Sequence, residues 1–323
     1  MYDVIALGEL LIDFTDAGKS ADGMRLFERN PGGAVANVLC ALARLGQKTG
    51  FIGKVGADMH GDFLKRTLQE NGVDTEGLVQ DAAVFTTLAF VSIGAGGERA
   101  FAFARKPGAD TCMGIDEVNV KLLQNTRVFH AGSLSLTHQP ARAATHFALE
   151  RARAAGAMIS YDPNYRAPLW SSEQEAAVQM KSVLPYVDIM KLSADETLLL
   201  TGVQDPREAA LRLNAGGIRC AVVTLGAEGA LVAVDAETAC VPSFTVDAVD
   251  TTGAGDAFWG AFLYRCLQEG VTARDITLAQ AEKYLRFANA AAALCTARRG
   301  AIPAMAMLGE IEALLARGEA KPA

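Results

Sequence analysis

The chain has 323 residues, enough for one large α/β domain or for a large domain with a small partner. Half of the residues are apolar and 21% are charged, which allows a sizeable core and excludes a disordered chain. A net charge of -7 leaves no basic stripe for nucleic acid, although a phosphorylated small molecule needs only a locally positive pocket.

The opening MYDVIALGELLIDF carries Asp3 and Glu9 and lacks a basic start, so it does not read as a signal peptide. No apolar stretch reaches the ~18 residues of a membrane helix. The six cysteines (Cys40, Cys112, Cys220, Cys240, Cys266, Cys295) form no C-x-x-C pair and read as reduced, mostly buried thiols. These features describe a soluble cytoplasmic protein with no membrane and no nucleic acid among its partners.

In chain order, short apolar runs at 4–8, 49–55, 127–131, 158–161, 189–192 and 220–224 predict core strands. Helical patterns at 34–45, 62–71, 141–155 and 208–214 lie between them. This alternation predicts an α/β fold, a mainly parallel sheet with helices on both faces. Two segments break the rhythm. Residues 14–31 are polar and irregular, and residues 84–106 hold two alternating runs joined by GAGGE, a hairpin pattern. Residues 1–13, 32–83 and 112–323 are therefore assigned to the core, and 14–31 and 84–111 to a small β lid. An exposed edge of such a lid offers a surface for a homodimer.

The most informative stretch is Asp250-Thr-Thr-Gly-Ala-Gly-Asp256, followed by a helical run at 257–267 with Phe258, Phe262 and Leu263 on one face. Gly253, Ala254 and Gly255 form a turn that opens this helix, and such a turn can aim free N–H groups at an anion. Asp256 beside that anion would repel phosphate but could take a proton from an attacking hydroxyl. Taken alone, the same residue could merely cap its helix. Other nucleotide motifs are missing. Gly18-Lys-Ser20 has Asp13 where a P-loop needs its first Gly, and no G-x-G-x-x-G follows the first strand.

The run DTTGAGDAF at 250–258 resembles the C-terminal signature of the PfkB, or ribokinase-like, carbohydrate kinases, and the likeness covers nearly the whole chain. It implies a ribokinase-like three-layer α/β/α core with a small β-sheet lid, and phosphorylation of a sugar hydroxyl by ATP with Mg²⁺. Asp13 in GELLID is expected at the end of the first strand, where by the same likeness it would accept sugar hydroxyls, and Gly32, Gly33 and Asn37 in PGGAVAN would line the sugar. Phe103 and Arg105 would reach down from the lid. The run Asp162-Pro-Asn164-Tyr-Arg166, with Leu169-Trp170, is similar to fructokinases. It places Arg166 on the sugar or on the phosphate in transit, and Asn164 toward the nucleotide.

Lys191-Leu-Ser-Ala-Asp-Glu196 matches the family's N-x-x-E element in part, with Ser193 in place of Asn. Lys191 and Glu196 then face the nucleotide, Glu196 orienting Mg²⁺ through water. Thr224, Gly226 and Gly229 would contact ATP, and Asn289 would border adenine. Asp250 and Thr252 match two ligand positions of a monovalent cation, which makes K⁺ an optional activator, although Ala304 stands where a relative has a hydroxyl ligand. Residues 97–110 are similar to fructokinases, and the PGADT run at 107–111 also to aminoimidazole riboside kinase. Fructokinase is the first expectation. The riboside kinase, ketodeoxygluconate kinase and ribokinase are its alternatives, and a non-catalytic sensor on the same fold is an alternative of another class.

Overall fold

The computed structural model describes residues 1–93 and 99–318. In chain order its strands are β1 (Tyr2–Leu7), β2 (Leu11–Lys19), β3 (Arg25–Gly32), β4 (Thr49–Gly56), β5 (Val73–Asp81), β6 (Leu88–Ile93) and β7 (Arg99–Ala104). They continue with β8 (Thr126–Gly132), β9 (Met158–Asp162), β10 (Ile189–Ser193), β11 (Cys220–Thr224), β12 (Ala230–Val234) and β13 (Glu237–Val241). The helices that matter for the site are α1 (Ala34–Arg44), α2 (Ala254–Gln268) and α3 (Leu278–Thr296).

Nine strands form one sheet in the order β13-β12-β11-β10-β9-β8-β1-β4-β5, parallel from β11 to β5. From Val4 to Leu7, successive side chains of β1 alternate between two cores. Val4 and Ala6 pack with α1, α2 and α3, while Tyr2, Ile5 and Leu7 pack with the helices Ala141–Ala154, Glu173–Ser182 and Pro206–Ala215 on the other face. Trp259, Phe262 and Leu263 of α2 are fully buried, each contributing about 1.5–3 kcal/mol of apolar burial. Such packing holds the N-terminus of α2 rigidly above the sheet.

The chain leaves β1 toward β4 on one side and returns to β8 on the other. At that reversal the carboxyl ends of β1 and β8 open a crevice, where ligands of parallel sheets bind. A second, four-stranded sheet in the order β3-β2-β6-β7 grows out of the loops beside this crevice.

Two expectations change, and one hairpin is new. Residues 14–31 belong to an antiparallel hairpin, β2 with β3, whose register shifts between Asp16 and Lys19; their polar character reflects a sheet largely exposed on one face. Asp13 is not at the end of the first strand, because β1 stops at Leu7 and Asp13 is the third residue of β2, opposite Asn30. Antiparallel β12 and β13 extend the main sheet through a turn at Asp235 and Ala236, both with positive φ. The expected hairpin within 84–106 is built of β6 and β7, while its GAGGE turn lies outside the described residues.

Candidate active site

The Gly-rich turn is set by sterics. Gly253 is the N-cap of α2 at φ 76°, and a Cβ there would sit 2.5 Å from the Cβ of Ala301. The N–H groups of residues 255 and 256 lie in the first turn of α2, ahead of the helical bond from Ala257 N–H to the Gly253 carbonyl, at the positive end of the helix dipole. Ala254 and Gly255 form one wall of a cavity of about 320 Å³. Its other walls include Thr224, Gly226 and Gly229 after β11, Phe244 and Val246, and Asn289 and Ala293 on α3. Of the seven residues expected at the nucleotide, Thr224, Gly226, Gly229 and Asn289 line this pocket, whereas Asn164, Lys191 and Glu196 do not.

Asp256 is the third residue of α2 and is buried. Its Oδ2 accepts a hydrogen bond from Asn37 Nδ2 at 2.8 Å, which ties α2 to α1. Burial pushes the Asp256 carboxyl up to about 6, aided by Asp162 and opposed by Lys191, Asn37 and Arg166. Asn37 Oδ1 is buried and has no hydrogen-bond partner among the described residues. An acceptor in that state is ready for a ligand hydroxyl.

Lys191 extends from β10 toward the turn. Its ammonium lies 2.6 Å from Asp162 Oδ2, and a Cβ on Gly255 would be only 3.2 Å from it. Burial works against its charge, but Asp162, Glu196 and Asp256 outweigh that and hold its pKa above the ordinary value. A permanent cation therefore stands at the anion turn. Asp162, for which the sequence alone suggests no task, is the last residue of core strand β9, and that position is the signal that points to it.

Across the crevice, Asp13 is half-buried and no hydrogen bond to it occurs among the described residues. Burial raises its pKa to about 6, with Arg166 pulling down and Asp256 pushing up. Those couplings bring Asp13, Arg166 and Asp256 to one place from β2, the loop after β9, and α2. A Cβ on Gly32 would lie 2.2 Å from Asp13 Oδ2, so the bare backbone leaves that carboxylate room. Gly33, at φ 124°, would drive a Cβ to 2.4 Å from the Glu9 carbonyl oxygen. Glu9 itself, unassigned from the sequence, accepts the Ala34 N–H at 2.6 Å and so caps the start of α1.

Other expected residues take different partners. Arg105, read as reaching the sugar, is bound to protein groups instead. Its Nε and Nη2 donate to Asp110, Nη1 to Thr137 Oγ1 and Nη2 to the Leu134 carbonyl, so it anchors the end of β7. Phe103 is half-buried on β7 opposite Ala89. Glu196 accepts Tyr165 N–H on one oxygen and Ser193 N–H and Oγ–H on the other, fixing the loops after β9 and β10 together. Asn164 adopts φ 47° in the first of those loops. Thr224 Oγ1 donates to the Leu192 carbonyl at 3.4 Å. Asp250 accepts Thr252 N–H and Oγ–H on one oxygen and Gly300 N–H on the other, which shapes the approach to the turn.

A cavity of about 320 Å³ walled by the helix start that also carries Asp256, with a polar crevice beyond, suits group transfer between two small molecules. The family model described as pfkB family carbohydrate kinase matches residues 1–306. A probable fructokinase-4 of Arabidopsis thaliana is 42% identical over 97% of this chain and 96% of its own length. A fructokinase of Xylella fastidiosa solved with bound ATP superimposes with a TM-score of 0.90 at 34% identity, covering 98% and 99% of the two chains. A fructokinase double mutant of Vibrio cholerae O395, solved with fructose, ADP and potassium, gives 0.86 at 32% identity over 97% and 98%. The chain belongs to the pfkB family of carbohydrate kinases.

Proposed function

We propose that this kinase transfers the γ-phosphoryl group of ATP to a hydroxyl of fructose, with Asp256 as the base. One observation carries the reading. A single helix start closes the pocket with Ala254 and Gly255, and presents Asp256 bonded to Asn37 on its far side. ATP lies along residues 224–229 with its triphosphate aimed at Gly253–Gly255. Fructose is held by Asp13, Asn37 Oδ1 and Arg166 against the backbone of Gly32 and Gly33.

Asp256 takes the proton of the attacking hydroxyl as that oxygen bonds to the γ-phosphorus. The bond from phosphorus to the bridging oxygen breaks, and ADP leaves. Lys191 and the N–H groups of 255 and 256 meet the charge carried across. Mg²⁺ would neutralise the phosphates. No cluster of three acidic, His or Cys side chains able to hold a metal occurs among the described residues, so the ion would ride on ATP and its waters, with Glu196 and Asn164 nearby. Potassium would be held at Asp250 and Thr252, in support of the turn.

Asp162-Pro-Asn-Tyr-Arg166 and the fructokinase relatives favour fructose over other sugars. We place the enzyme in the cytoplasm; no helix among the described residues is long and apolar enough to cross a membrane. Leu26, Phe27 and Phe90, exposed on the small sheet, support a homodimer formed there. ADP release measured with fructose, ribose, ketodeoxygluconate and aminoimidazole riboside tests the assignment. Fructose should lead in kcat/KM by ~10-fold or more, the usual scale for a sugar that satisfies one more buried polar group than its rivals. Turnover of none of the four would remove the kinase reading, and a better rival would remove fructose.

A further inference from the structure

Three buried polar side chains outside the reacting site lie within the apolar packing of α2 on the sheet. Trp259, Ser160 on β9 and His130 on β8 are each no more than 1% exposed. Trp259 Nε1 donates to Ser160 Oγ at 2.8 Å. Ser160 Oγ lies 3.0 Å from Nδ1 of His130, which faces it in the register of β8 with β9. An indole N–H can only donate, so Ser160 accepts from Trp259. The serine hydroxyl then needs an acceptor of its own, and among the described residues that acceptor is His130 Nδ1. His130 is therefore neutral, with its proton on Nε2. Burial, and after it the Lys191 cation, pushes its pKa down to about 3, so the arrangement holds at any working pH.

The chain stands one step below the reacting groups. Asp162 is two residues beyond Ser160 on the same face of β9, and Asp256 is three residues before Trp259 on the same side of α2. Asp162 works against the Asp256 charge, and the apolar contacts of α2 carry no direction. A hydrogen bond does, because it fixes both distance and angle. We infer that Ser160, with its hydroxyl held by His130, is a positioning residue for the base: it seats Trp259 and so sets where the first turn of α2 carries Asp256. The inference rests on the reading of Asp256 as that base, and it holds whichever sugar is the acceptor. Without the seat a buried indole N–H is left unpaired, and the helix gains by moving off the strand toward another acceptor or water. A displacement of ~1 Å is enough to cost up to ~10²-fold in rate.

Ser160→Ala removes one oxygen and tests the seat, with ADP binding by calorimetry showing that the variant is folded. Its kcat should fall ~10-fold or more, while KM for fructose stays within about threefold, because the ground-state sugar contacts are untouched. The part of the acid limb that belongs to Asp256 should also move to lower pH, since burial is the main cause that raises this carboxyl to about 6. Around it Asp162 and Asp13 push the same way, Lys191 and Arg166 pull against them, and the Cys295 thiol stays neutral. His130→Leu, which leaves the serine hydroxyl without an acceptor, should act in the same direction. His130→Asn, whose amide oxygen can stand in for Nδ1, should restore much of the loss. A purely structural role would lower the melting temperature and leave the acid limb where it is. Unchanged kcat, or a lower kcat with an unmoved acid limb, in folded Ser160→Ala would overturn the inference, as would His130→Asn no better than His130→Leu. Where Ser160→Ala does not fold, the two His130 variants decide alone. Full kcat in Asp256→Asn would instead strike the base reading itself.

Discussion

Asp256 carries two opposing demands. As the proposed base it must be ionised to accept a proton, yet burial, aided by Asp162, raises its pKa to about 6. Lys191, Asn37 and Arg166 stop the rise there. A base acts in its deprotonated form, so a raised pKa moves the acid limb of the rate profile upward. Below about pH 6, kcat/KM should fall with every unit. The fall should be steeper than tenfold per unit, because Asp13 also titrates near 6 and must be ionised to accept sugar hydroxyls. Asp256→Asn keeps the bond to Asn37 in shape but removes the base, and kcat should drop ~10²–10⁴-fold while ADP still binds. The same substitution relieves the cost of an ionised buried carboxylate. A folded pKa raised from 3.8 to about 6 destabilises the fold above pH 6 and has no effect below the unfolded value. Thermal melts should therefore show the variant gaining stability at pH 8 and almost none at pH 4. A variant with more than about a tenth of the original kcat would show that general-base catalysis is not the role of this residue.

At the scale of the element, the decisive object is the start of α2. Gly253→Ala forces a left-handed residue to carry a Cβ, at ~1–2 kcal/mol, and presses it into Ala301, at about 1–3 kcal/mol more. Denaturant unfolding should show a loss of ~2–5 kcal/mol, with kcat reduced even where the fold survives. An unchanged midpoint with unchanged kcat would mean that the turn tolerates movement and does not hold the phosphate. This element was readable in the sequence, because G-x-G-D followed by a helical apolar face is a local signal. So were six of the seven parallel strands, each a mostly apolar run; β5, with charged residues spread along VDTEGLVQD, was not. The β12–β13 hairpin was not: its turn is Asp235-Ala236, where hairpins usually show Gly or Asn, so positive φ was invisible in the letters. Much of the site was hidden for another reason. The bond from Asn37 to Asp256 spans 219 positions, and the Lys191–Asp162 pair joins neighbouring strands. Motifs name such residues one by one, whereas only the fold makes them partners. Arg105 shows the converse: a cation at the lid had the right charge for a ligand, but Asp110, five residues on, claims it.

For the whole molecule, the question is what the small sheet does above the crevice. It shares the sugar end with the core: Asp13 belongs to β2, while Asn37, Arg166 and Asp256 belong to the large body. A sugar bonded to both would pull the two together and expel water, which otherwise competes as phosphoryl acceptor. The sheet is suited to motion. It leaves Leu26, Phe27 and Phe90 partly exposed, and the stacking of Phe14 on Phe90 gives it only a thin core of its own. Thin, weakly buried sheets open locally at low cost. Hydrogen exchange should thus be fast in β2, β3, β6 and β7 of the free enzyme and slow on adding fructose. At one hundred times the dissociation constant the slowing can reach ~100-fold, because ligand binding stabilises the closed form by about 2.7 kcal/mol. Amides of β9, β10 and β11 should stay unchanged, since those strands are buried on both faces already. Unaltered exchange in the small sheet at saturating fructose, with binding shown independently by calorimetry, would mean that Asp13 meets the sugar in a preformed cleft and that no lid closes.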